Sequence, residues 1–232
     1  PMGNVQRYAY NSAGDLVSYT DPLGHTTRYY YNLSHGLVEI RDPLGNRPVR
    51  NEYDDEGRLV ASIDGKGNRI EYVSDSSARQ ETVFDRLGRP TVYGYDENGN
   101  ILSETDAAGQ RKEFTYDNRG NRLSETDGNG NTTTYTYDGG NNISTHTDSL
   151  GNKTAFTYNN RNQITTLTDP NGGITTRSYD STGNLTSEKD ALGYTTSHTY
   201  NAAGKRTATI DPLGNISRFE YDGLGNLLRE TD

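Results

Sequence analysis

Eleven aspartates recur in one register of this 232-residue chain, from Asp21, Asp42 and Asp64 through Asp85 to Asp211 and Asp232. A row of carboxylates at a fixed step suggests calcium first. The calcium-binding RTX-type repeat, however, is a nonapeptide with several glycines and one aspartate, and that spacing does not occur here. An EF-hand loop needs acidic or amide ligands at alternate places and a later glutamate. The string Asp127-Gly128-Asn129-Gly130-Asn131 comes nearest and lacks the glutamate. Turn capping accounts for the row better than metal. The four histidines, His25, His35, His146 and His198, show no metal-ligand spacing and fall at four different places, which reads as solvent-facing positions of a sheet. No nucleophile elbow, phosphate-binding loop or zincin helix occurs, and Gly65-Lys66-Gly67 precedes no helical pattern. The expectation is therefore no enzyme, with no catalytic, cofactor-binding or metal site.

The aspartates belong to a repeat. Tyrosines stand at 10, 31, 53, 95, 116, 137, 158, 179, 200 and 221, and Ser74 takes the tyrosine place in one degenerate unit. Asp or Asn always follows the tyrosine, an Asp stands eleven residues beyond it, and Gly stands three beyond that Asp. The one extra residue lies between Gly45 and Tyr53. The repeat signature is Tyr95, Asp96, Gly99, Asp106 and Gly109, then Tyr116, Asp117, Gly120, Asp127 and Gly130. It continues as Tyr137, Asp148 and Gly151, as Tyr158, Asp169 and Gly172, and as Tyr179, Asp190 and Gly193. The expected organisation is a single array over 1–232 of about eleven 21-residue repeats, with no separate catalytic or toxin domain.

Each unit holds two turn signals. Tyr95-Asp96-Glu97-Asn98-Gly99-Asn100 shows the first, and Asp21-Pro22-Leu23-Gly24 the second. An Asp or Asn at the turn start bonds the backbone two residues on, and Gly supplies the positive φ of a type I turn closed by a G1 bulge. Asn141 and Asn162 replace that Gly in two first turns. His35 and Ala78 fit poorly, and Gly36 beside His35 suggests a local slip. What remains of each unit is two runs of about six residues, the usual strand length. Aromatic-x-Tyr pairs precede the first turn, as in Tyr135/Tyr137 and Phe156/Tyr158, and Leu or Ile follows six places beyond the anchor, as in Ile143 and Ile164. This period of two places tyrosines and leucines in ladders on one face. The expected fold is all-β, with about 20 or more short antiparallel strands and no helix of consequence.

Composition agrees with an unusual architecture. Apolar residues are only 29%, with 18 tyrosines, 26 glycines and a net charge of −9, where an ordinary domain holds roughly 45–50% apolar residues. The absence of cysteine excludes disulfides and cysteine-based zinc sites and fits either an exported or a cytosolic protein. The acidic balance speaks against a nucleic-acid partner, and no apolar run is long enough for a membrane-spanning helix. Pro1-Met2-Gly3-Asn4 resembles no signal peptide.

The unit Y-D-x-x-G-N-L-x-x-x-T-D-P-L-G-N-x-T-x-Y resembles the YD repeat of bacterial Rhs polymorphic toxins, and is similar to repeats of the Tc toxin BC components and of teneurins. Tyr95-Asp96, Gly99-Asn100, Thr105-Asp106 and Gly109 carry it in one unit, and Tyr116-Asp117, Gly120-Asn121, Thr126-Asp127 and Gly130-Asn131 in the next. The resemblance implies a strip of antiparallel hairpins that is an open piece of a hollow shell. It implies an encapsulation module enclosing a C-terminal toxin, with that polypeptide and the rest of the shell as partners, in a secreted or cell-surface protein. Contacts with glycans or a secretion apparatus belong to the same set of implied partners. The rival reading is a carbohydrate- or partner-binding adhesion module of a cell-surface YD-repeat protein, with the tyrosine rows as its surface.

Rhs proteins also resemble self-cleaving proteins with D-P-x-G motifs, which Asp21-Pro22-Leu23-Gly24, Asp42-Pro43-Leu44-Gly45 and Asp211-Pro212-Leu213-Gly214 match in letters. Equivalent turns read Asp106-Ala107-Ala108-Gly109 and Asp127-Gly128-Asn129-Gly130, so the letters follow the turn and not a catalytic pair. Six N-x-S/T strings likewise belong to the repeat and imply no glycosylation.

Overall fold

The structure is a computed structural model and describes residues 5–232. Those residues form 22 β-strands, from Arg7–Tyr10 to Leu227–Thr231, and none of them is helical. The strand count meets the expectation of an all-β chain of short hairpins. The chain divides into two units, one up to Glu113 and one from Phe114. Within the first, each strand pairs antiparallel with the next in sequence, beginning with Arg7–Tyr10 against Leu16–Thr20. The second repeats the pattern from Arg122–Thr126 against Thr132–Tyr137 to Ile216–Tyr221 against Leu227–Thr231. Among the described residues of each unit, strands that follow one another in sequence are joined by short turns or loops.

One chemical device makes both kinds of turn. After Thr147, Asp148 donates its N–H to the Asn152 carbonyl and Gly151 donates to the Asp148 carbonyl, each at 3.0 Å. The Asp148 Oδ1 accepts the N–H groups of Leu150 and Asn152 at 2.9 Å, and its Oδ2 accepts Asn152 Nδ2 at 2.8 Å. After Tyr179, Asp180 does the same with Thr182 and Asn184 at 2.9 Å. The carboxylate thus satisfies donors the turn would leave without partners. The Asn after the Gly closes the second oxygen. Sequence reading anticipated the bond two residues on, but not the Asn amide.

After each regular tyrosine turn the register shifts by a bulge, as between Thr157 and Tyr158, and Tyr158 then faces Ile164. The same pairing joins Tyr31 to Leu37, Tyr137 to Ile143 and Tyr179 to Leu185. Tyrosines and aliphatic residues therefore share a face, as the period of two requires. The other face carries small hydroxyl residues, such as Thr136 opposite Thr145 and Thr157 opposite Thr166.

One local expectation is corrected. No slip occurs at His35: it takes φ 64° itself, and Asn32 donates to the Gly36 carbonyl as in every regular turn. Gly36 is spent on a different demand, since a Cβ there would lie 2.9 Å from the Tyr53 ring. At the degenerate unit the positive φ falls on Arg79, at 51°, and not on Ala78. The extra residue is absorbed outside the pairing, at Arg47-Pro48, before the strand Val49–Tyr53. Proline has no N–H to give a ladder, so this is where the insertion disturbs least.

Among the described residues Ala61 is the one fully buried apolar residue, and no large side chain is fully buried. No helix is long and apolar enough to cross a membrane.

Candidate functional site

The repeat-signature residues form no cluster; they form rows. The carboxylates of Asp96, Asp106, Asp117, Asp127, Asp148, Asp169 and Asp190 each accept two backbone N–H groups at 2.8–2.9 Å. Gly99, Gly109, Gly120, Gly130, Gly151, Gly172 and Gly193 hold φ between 80° and 90°. At Gly109 a Cβ would meet nothing within 4 Å, so backbone strain and not crowding demands glycine.

Electrostatics follows from the turn. The Asn121 amide, then the N–H groups of Asn121 and Arg119 and the Arg119 charge, lower the Asp117 carboxyl to about 2. Asn184 and Thr182 lower Asp180 as well. The D-P-L-G aspartates move the same way: Asp21 is lowered by His25, Asp42 by Asn46 and Asp211 by Asn215. Acid–base catalysis by two carboxyls needs their values driven apart, and these are all driven down. Among the described residues no group of three or more His, Asp or Glu is placed to hold a metal ion.

The tyrosine row has a bond that sequence reading missed. Tyr158 donates its hydroxyl to the Ile143 carbonyl at 2.9 Å, Tyr179 to Ile164 at 2.9 Å and Tyr200 to Leu185 at 2.8 Å. Tyr137 reaches Arg122 in the same way at 2.8 Å. Each acceptor opens the second strand of the preceding hairpin, so the phenol ties one repeat to the one before. Phenylalanine suffices two residues earlier, at Phe156 and Phe219, where only the ring is used. The signal was present in that contrast: the earlier place holds Tyr, Phe, Asn, Arg or His, and the later one Tyr in every unit but that of Ser74.

Arginine replaces the aliphatic ladder residue at two places. Arg122 lies over both Phe114 and Tyr135, at 5.7 and 5.4 Å from the ring centres, and Arg206 lies 4.8 Å over Phe219. Its stem packs as an apolar chain while the guanidinium stacks on the π-face. Side-chain amides join successive turns: Asn121 Nδ2 donates to Asn141 Oδ1 at 3.1 Å, and Asn142 Nδ2 to Asn162 Oδ1 at 3.0 Å.

The histidines correct the expectation of solvent-facing sheet positions. His25 and His35 lie in turns, where Nδ1 is 2.9 Å from Asp21 Oδ2 and from Asp15 Oδ2 respectively. His146 and His198 are half-buried on the aromatic face, His146 with its ring 5.3 Å from Tyr135. Burial, and then the Arg206 charge, lowers His198. In the N-x-S/T strings, Asn131, Asn152, Asn184 and Asn215 already spend Nδ2 on the turn aspartate at 2.7–2.9 Å.

Comparison with known proteins agrees with this geometry. No curated protein matches the chain. Among solved structures it is similar to the crystal structure of TcdB2-TccC3-TEV, at 17% identity and a TM-score of 0.64, over 97% of this chain and 15% of that one. TcdB2-TccC3 gives 15% identity and a TM-score of 0.57, over 98% and 17%. The Photorhabdus luminescens Tc holotoxin pore carrying a TccC3 mutation gives 17% and 0.53, over 94% and 14%. The chain thus spans about 15% of the length of the first of these structures, with which it shares the fold. The RHS Repeat profile matches residues 10–47, 81–111, 95–132, 116–153, 141–174 and 179–216, and passes over 48–80, which holds the first strand and the turn of the degenerate hairpin. With well over half of its length matched, the chain belongs to the RHS repeat family.

Proposed function

We propose that the chain is a structural wall: a stretch of a β-shell that encloses and shields a polypeptide guest, the C-terminal toxin of a longer Rhs-type protein. The observation that carries this reading is the missing interior. Among the described residues Ala61 is the one fully buried apolar residue, and no large side chain is fully buried. Stability comes instead from turns, ladders and bonds between successive hairpins, a design that leaves both faces of a sheet free. A wall needs no active site, and the carboxyls of Asp117, Asp127, Asp138 and Asp148, all lowered by their turns, support a non-enzymatic scaffold. The likeness to structures containing TccC3, one of them a Tc holotoxin, supports the toxin setting. A single array along the chain, the rest of the shell as partner, and secretion or cell-surface display are part of the proposal.

The test is protection of the guest. In the full-length protein, the segment beyond the repeats is expected to resist added protease. In a variant carrying Gly109→Val, Gly130→Val and Gly151→Val it is expected to be cut as the wall opens. Equal cleavage in both proteins would overturn the reading.

A further inference from the structure

One face of the first unit gathers arginines that the fold does not balance. Arg28 in the strand Thr26–Tyr31 stands directly opposite Arg41 in the strand Leu37–Arg41. Glu39, two residues before Arg41 on the same face, stands opposite Arg50 in the strand Val49–Tyr53. The stretch that holds the extra residue of the array brings a fourth arginine, since Arg47 places its Nε 3.4 Å from Glu39 Oε2. Glu39 Oε1 accepts the Arg41 Nε–H, and that bond, then the charges of Arg41, Arg47 and Arg50, hold the Glu39 carboxyl below its ordinary value. Other acids close by are committed elsewhere. Glu52, two residues beyond Arg50, pairs with Arg69 Nη1 at 2.7 Å, while Asp21 and Asp42 cap their own turns. Four guanidiniums therefore share one carboxylate, in a chain whose net charge is −9.

Two of the four lack a partner. Like charges directly opposite across a ladder destabilise it, and among the described residues Arg28 forms no hydrogen bond or ion pair. The Arg50 Nε is buried with no acceptor, and a donor in that position calls for a group to receive it. Arg41 itself is held by the Tyr30 ring, whose centre lies 5.0 Å from its guanidinium. We propose that Arg28, Arg41, Arg47 and Arg50 bind a phosphate group on this face of the sheet. The guanidinium fork matches the oxygens of such a group. A second carboxylate would leave most of the excess charge in place, whereas a phosphate monoester carries about −1.5 to −2. The site rests on the charges of one face and stands independently of the shell reading.

Sodium phosphate is titrated into the protein at constant ionic strength while arginine Nε–H resonances are followed by NMR. Saturable shifts at Arg28 and Arg50 are expected, with acetate binding several-fold more weakly. Arg28→Gln, at an exposed position, is expected to weaken phosphate binding several-fold and, without phosphate, to raise the melting temperature as the repulsion is removed. Arg111→Gln removes an arginine already paired with Glu113 and is expected to leave phosphate binding unchanged. Shifts at Arg111 as large as those at Arg28, equal binding of phosphate and acetate, or undiminished binding in Arg28→Gln would overturn the proposal. The wild-type titrations decide between phosphate and acetate even where a variant does not fold. N-acetyl-phosphoserinamide separates the sources of the group: binding tighter than that of free phosphate assigns it to a modified polypeptide, and binding no tighter assigns it to the free ion.

Discussion

The hairpin Lys153–Thr168 and the hairpin Arg69–Phe84 occupy equivalent places in the repeat and solve the same turn differently. In the first, five residues separate Tyr158 from Ile164, a bulge shifts the register, and the tyrosine reaches the preceding repeat. In the second, Ser74 pairs with Glu81 and Asp75 with Gln80, leaving four residues in the turn and no bulge. Asp75 then caps with Ser77 Oγ at 2.7 Å and the Ala78 N–H at 3.0 Å, and it holds no Asn amide. The consequence passes to the next repeat, where the Tyr95 hydroxyl turns to Glu81 Oε2 at 3.2 Å in place of a backbone carbonyl. In the first hairpin the bulge and the tyrosine staple go with a residue of positive φ, Asn162 at 60°. In the second that place is Ala78, the positive φ moves to Arg79, and the bulge and the staple are both missing.

Acid is the strongest way to break the regular hairpins. Asp117, Asp127, Asp138 and Asp148 all have carboxyls held below the ordinary value, so they stabilise the fold above about pH 4 and lose that contribution as pH falls through their folded values. The melting temperature is expected to be level near neutrality and to fall between about pH 4 and 2, the region of the Asp117 carboxyl. Asp117→Asn is expected to flatten part of that slope. Thermal melts across this range check the sign.

Substitution at a regular turn comes next. Gly109→Val forces a branched residue into φ 80° and is expected to destabilise by about 1–3 kcal/mol, read as a lowered melting temperature. Tyr158→Phe removes only the bond to the Ile143 carbonyl and is expected to cost about 0.5–1.5 kcal/mol in a urea titration. Tyr95→Phe serves as its control and is expected to cost less, since its hydroxyl meets a side chain and not a carbonyl of the neighbouring strand. The smallest effect has the opposite sign. Arg79→Gly relieves φ 51° in the degenerate turn and is expected to stabilise by about 0.5 kcal/mol, the left-handed strain less the entropy of glycine. A larger gain there would mean that the degenerate turn is strained beyond its one residue.

The period of 21, the two turns, the strand lengths and the face shared by Tyr158 and Ile164 were legible in the sequence, because each rests on residues a few places apart. An Asp-x-x-Gly turn and an alternating strand are local solutions, and the second turn of the repeat shows its Asp-x-x-Gly ten times, from Asp21 to Gly214. Local pattern also misled where a neighbour looked more suitable than the residue used, as with His35 beside Gly36. Tertiary structure decided what spans one repeat to the next: the carbonyl under the Tyr158 hydroxyl, Arg122 stacked on two rings, and His35 against Asp15. These contacts join residues about 8 to 20 positions apart in sequence across hairpin pairings whose stagger is set by the bulge. No short-range rule specifies that stagger, so only the folded chain could reveal its partners.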